Sequence, residues 1–94
     1  MVDYVVLLHG LGRTRWSMYV LERILSRGFR VINIGYPSRK YPVERLAECV
    51  GGRIRQCCTD ENKKIHFVTH SLGGIVLRCH LKENPLPNLG RVVM

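Results

Sequence analysis

One serine and one glycine loop are the residues of this chain best placed to do chemistry. Ser71 lies in the stretch Lys64 to Arg78, KIHFVTHSLGGIVLR. Ile65, Phe67 and, more weakly, Thr69 alternate as a strand does, His70-Ser71-Leu72-Gly73-Gly74 turns sharply, and Ile75, Val76, Leu77, Cys79 and Leu81 form a helical run. A serine on a tight strand-to-helix turn is a nucleophile elbow, which lifts the hydroxyl above the sheet. The usual pattern is G-x-S-x-G; here it is Thr69-His70-Ser71-Leu72-Gly73, with threonine in the first glycine's place. Glycine serves there because backbones come close, and threonine is among the smaller replacements.

A serine that attacks an acyl carbon needs donors for the oxyanion that forms. The helix after Ser71 points its amides and its positive dipole end at the serine, so the Leu72 N–H is one donor. His9-Gly10-Leu11-Gly12 follows the first apolar run, and a glycine loop there can turn a second amide, that of Leu11, to the same point. Losing one such donor costs about 10²–10³ in rate. His9, Gly10, Gly12, His70 and Gly73 are then the supporting loop residues. Plainer roles stand beside these. Ser71 could be a helix N-cap and nothing more. His9 reads as a loop-orienting residue rather than a base, His70 as pointing away from the serine, and His66 as structural. Tyr36 and Trp16 either border an acyl pocket or pack.

The elements that must position these loops alternate. Val2 to His9 is a continuous apolar run, as in a central parallel strand covered on both faces. Thr14 caps a helix from about Arg15 to Arg27, with Met18, Leu21 and Leu25 inward and Gly28 as its C-cap. Phe29, Val31, Ile32 and Ile34 make a second strand, closed by Gly35-Tyr36-Pro37. Pro42 opens a helix whose inner face is Val43, Leu46, Ala47, Val50 and Ile54. Gly51-Gly52 inside it implies close packing or a kink. The third helix ends near Glu83, before Pro85 and Pro87, and Arg91 to Met94 opens a fourth strand. This order predicts one α/β domain over residues 1–94: a three-layer parallel sheet of about four strands with flanking helices.

Composition narrows the partners. Fifteen Lys and Arg against seven Asp and Glu give +8, which favours anionic partners. The basic residues are scattered, however, and no basic-aromatic stripe points to nucleic acid. No run of about 18 apolar residues is present, so no membrane span is expected. Nor does the N-terminus carry a basic leader segment. Cys49, Cys57, Cys58 and Cys79 lack C-x-x-C spacing. They read as reduced thiols in a cytoplasmic protein rather than metal ligands, and no metal or cofactor is expected.

VVLLHGLG, YPS and VTHSLGG, in this order and at these separations, resemble the first half of an α/β-hydrolase, in particular of small bacterial lipases and esterases. The resemblance covers Val2 to Met94. It implies a partial α/β-hydrolase fold, Ser71 as nucleophile, Leu11 and Leu72 as oxyanion donors, and an acyl ester as substrate of the complete form. The family's acid and base follow the serine as Ser…Asp/Glu…His. After Ser71 this chain has His80, Glu83 and no aspartate. His80, nine residues on in the same helix, has its Cα about 13 Å along the axis, too far for a base. The expectation is therefore a truncated serine ester hydrolase, weakly active or inactive as it stands. The alternatives are a non-catalytic hydrolase-like remnant or interaction protein, and an acyltransferase or thioesterase. Truncation would expose an apolar face and a free edge at Arg91 to Met94, which predicts a homo-oligomer.

Overall fold

The computed structural model describes residues 2–94. The elements run β1 (Tyr4–Leu8), a 3-10 turn (Arg15–Met18), α1 (Tyr19–Leu25), β2 (Arg30–Ile34), α2 (Val43–Cys57), β3 (Ile65–Thr69), α3 (Leu72–Glu83) and β4 (Leu89–Val93). The four strands form one sheet in the order β2-β1-β3-β4, with every pairing parallel. All five residues of β1 are buried, because it is flanked on both edges and covered on both faces. Strand alternation divides its side chains between two cores. Tyr4, Val6 and Leu8 join Ile34, Phe67, Leu46, Val50, Ile54, Val76 and Leu77 on the face covered by α2 and α3. Val5 and Leu7 meet Met18, Leu21 and Leu25 on the face covered by α1. The result is the expected three-layer α/β architecture.

Register is what positions the site. Leu8 pairs with Ile34 on one side and Thr69 on the other. The three strands therefore end level, and the loops that follow them emerge side by side.

Several boundaries differ from the sequence expectation. Residues 15–18 are 3-10, and α-helix begins only at Tyr19. Thr14 does cap, its hydroxyl accepting the Trp16 amide at 3.3 Å. Gly28 is not the C-cap. The helix closes on Ser26 in right-handed geometry, with its hydroxyl donating to the Glu22 carbonyl, so no left-handed residue is needed. Gly51 is explained by packing. A methyl there would come within 2.8 Å of the His80 ring, whereas Gly52 faces open space. β4 starts at Leu89 rather than Arg91 and leaves Met94 outside. It pairs only with β3, through a bulge between Ile65 and Phe67, where Gly90 passes close over the His66 ring.

On the α1 side the sheet is only half covered. Val5, Leu25, Phe29, Val68 and Val93 line an open groove of about 450 Å³. Among the described residues no helix is long and apolar enough to cross a membrane.

Candidate active site

β3 ends at Thr69, and α3 starts at Leu72, so Ser71 sits between a strand and a helix with no room for an ordinary loop. Its backbone is at φ 53°, ψ −113°, and among the described residues it is the one non-glycine residue at positive φ. Those angles belong to the first central position of a type II′ turn, where glycine is usual. The Gly73 amide closes that turn on the His70 carbonyl at 3.0 Å. The elbow is thus a II′ turn over His70-Ser71-Leu72-Gly73 with serine in the glycine position. Ser71 is exposed, and its side chain caps no helical amide.

Gly73 lets the helix start this close to the sheet. A methyl on it would lie 2.7 Å from the Leu8 carbonyl oxygen and 3.0 Å from Leu8 Cβ. The His70 amide continues the β1–β3 ladder onto the Leu8 carbonyl at 3.1 Å. Thr69, in the first glycine's place, is tolerated because its side chain is buried beneath Gly74. Its hydroxyl has no hydrogen-bond partner among the described residues.

The loop after β1 comes up beside this turn. The His70 ring lies against Gly10, where a methyl would meet its Nδ1 at 2.7 Å. His9 is fully buried and has both ring nitrogens occupied. Nδ1 donates to the Gly10 carbonyl at 2.9 Å, and Nε2 accepts the Tyr36 amide at 3.2 Å. The His9 and Tyr36 rings stack at 4.1 Å, and the Tyr36 hydroxyl donates to the His9 carbonyl. Burial pushes the Tyr36 phenol up to about 12. Gly12, at φ 67°, donates its amide to Ser38 Oγ at 2.9 Å.

The amides around Ser71 can now be accounted for. Gly12 donates to Ser38, Arg13 to the Gly10 carbonyl, Gly73 to His70 and Gly74 to Ser71. Leu11 has no acceptor among the described residues, and Leu72 opens α3, where an intrahelical acceptor is missing.

Comparison with known proteins matches residues 5–94 to the alpha/beta hydrolase family. This chain is an alpha/beta hydrolase family member. No curated protein matches it. Among solved structures it is similar to an extracellular alpha/beta-hydrolase from a Paenibacillus species, described as sharing structural and functional homology with tobacco salicylic acid binding protein 2. The TM-score is 0.70 at 22% identity, covering 96% of this chain and 38% of that one. At that identity the likeness speaks for the fold, and the chain spans well under half of the neighbour's length.

In an alpha/beta hydrolase the serine works with a histidine and an acid, so the four histidines matter. His9 and His70 are held as described. His66 pairs with Asp3 at 3.1 Å, an acid–base pair in appearance. Asp3 precedes β1, however, and His66 lies near the start of β3, so the pair sits at the opposite end of the sheet from Ser71. His66 and the Lys64 amide, both hydrogen-bonded to Asp3, hold its carboxyl below the ordinary value. His80 is buried against Gly51, and its Nε2 has no partner. Burial, then the nearby Arg55 charge, lowers its pKa. A groove of about 510 Å³ between α2 and α3 borders His80, Glu44 and Glu83, not the serine turn.

Ser38 and Arg39 escaped the sequence reading as parts of this site, whereas Tyr36 reads there as bordering an acyl pocket or packing. They clamp the 9–12 loop from 26 or 27 residues away. The YPS triplet was the available signal.

Proposed function

We propose that this chain carries the nucleophile and oxyanion hole of a serine ester hydrolase. Ser71 Oγ attacks the acyl carbon as its proton passes to solvent water, and the carbonyl π electrons move to oxygen. The amides of Leu11 and Leu72 receive that oxyanion. The intermediate then collapses, the alcohol leaves with a proton from solvent, and water hydrolyses the acyl-serine to free the acid and restore the hydroxyl. His9, Gly10 and Gly12 hold Leu11, while His70 and Gly73 hold the turn. The observation that carries this reading is the positive φ of the exposed Ser71, a costly backbone state held on a turn whose His70 packs against the glycine loop at Gly10.

Labelling with a fluorophosphonate tests it. Wild-type protein should label at Ser71 and Ser71→Ala should not. Nitrophenyl ester turnover should be very weak, because after Ser71 the chain offers only His80, buried against Gly51, and no aspartate. Robust turnover that vanishes in Ser71→Ala would overturn that second statement. Absence of labelling would favour the other reading, a non-catalytic remnant, which the burial of His9 and the pairing of His66 at the far end of the sheet support. The groove on the α1 side and the free edge of β4 are, on this reading, surfaces that a second copy covers. The free thiols fit a cytoplasmic location.

A further inference from the structure

We propose that Arg39 makes this site selective for esters that carry a second, anionic group, such as the half-esters of dicarboxylic acids. The inference rests on the ester-site reading above and adds the substrate class.

The loops at the serine's end of the sheet are one-signed. Residues 9–14, 35–42 and 70–71 contain Arg13, Arg39 and Lys40 and no carboxylate. The opposite end carries Asp3, Asp60 and Glu61. Glu44, the nearest acid along the chain, faces the groove between α2 and α3 instead.

Arg39 is the placed member of this set. Its guanidinium lies flat over Gly12, where a methyl would come within 2.7 Å of both Cζ and Nε. The absence of a side chain at Gly12 leaves room for that approach, and its φ of 67° favours glycine. The preceding residue, Ser38, accepts the Gly12 amide, so the segment that carries Arg39 is tied to the loop, while the exposed guanidinium itself rests on Gly12. The charge therefore sits one residue from Leu11, whose amide is a proposed oxyanion donor. No acid neutralises it: the one ion pair among the described residues is His66 with Asp3, at the far end. A carboxylate a few bonds beyond the ester carbonyl would meet this guanidinium, whose five donors suit it. A neutral ester of the same size would not.

The test uses the Ser71→Ala chain, so that no turnover is needed. Amide shifts of Leu11, Gly12 and Leu72 are followed by NMR during titration with monomethyl glutarate and with its neutral analogue, methyl glutaramate. An exposed ion pair contributes about 0.2–1 kcal/mol, so the anionic ester should bind roughly 1.4- to fivefold tighter at low ionic strength. The gap should shrink as salt is added and disappear in Ser71→Ala/Arg39→Gln. Equal binding of the two esters, or a preference that survives Arg39→Gln, overturns the proposal while leaving the ester site intact. If neither ester shifts Leu11 and Leu72, the ester site itself fails and the selectivity falls with it.

Discussion

Replacing Ser71 with glycine should make this protein more stable. Serine at φ 53°, ψ −113° occupies a turn position that favours glycine. Holding a residue with a Cβ in such a region costs about 1–3 kcal/mol. Glycine removes that cost but loses more backbone entropy on folding, about 0.5–1 kcal/mol. The balance is a gain of about 0–2.5 kcal/mol, centred near 1. For a domain of this size each kcal/mol moves Tm by about 4–8 °C. Ser71→Ala is the control, since it keeps the Cβ and the strain and should stay within about 0.5 kcal/mol of wild type. Urea denaturation followed by circular dichroism reads both. The glycine variant should have the higher midpoint with unchanged slope and should no longer label with fluorophosphonate. If Ser71→Gly is no more stable than Ser71→Ala, the turn stores no strain and the physical basis for the elbow is wrong.

Gly73→Ala should cost about 1–3 kcal/mol, because its methyl would strike the Leu8 carbonyl at 2.7 Å and backbone must give; the same denaturation experiment measures it, and labelling of Ser71 should fall too. Thr69→Val should stabilise by about 1 kcal/mol, since it removes a buried hydroxyl with no partner at nearly constant shape. His80 has a folded pKa below its ordinary value of 6.5. The unfolded chain therefore binds more protons as pH falls past that point, so the contribution is fully present above about 6.5 and is lost as pH drops through the folded pKa. Denaturation midpoints measured from pH 7.5 to 5 should decline, and His80→Leu should flatten the decline. Light scattering at high concentration should show association through β4, and a monodisperse monomer would refute it.

The strand–turn–helix around Ser71 was legible because its cues are local: alternation in Ile65 to Thr69, helical spacing after Gly74. The places of Leu11 in the loop after β1 and of Leu72 at the start of α3 were legible for the same reason. The II′ geometry was hidden, because a serine at a glycine position looks like any serine until the dihedrals are known. The reason for Gly51 lay 29 residues away, in the ring of His80, and no periodicity reports such a contact. The clamp on Gly12 by Ser38 and Arg39 was invisible on the same ground, since the two loops meet only after β1 and β2 pair in register. The 3-10 start of the first helix was missed because its apolar spacing resembles that of an α-helix over so few residues.

The central place of β1 sets a timetable for the nascent chain. Its five residues are translated before either partner strand, and its second edge is occupied only when Ile65 to Thr69 arrive. At about 5–20 residues per second on the ribosome, that interval is about 3–12 s. During it a bare YVVLL ribbon must be shielded by the exit tunnel or a chaperone. The strand at the centre of this sheet is thus the one whose pairing folding must leave unfinished longest.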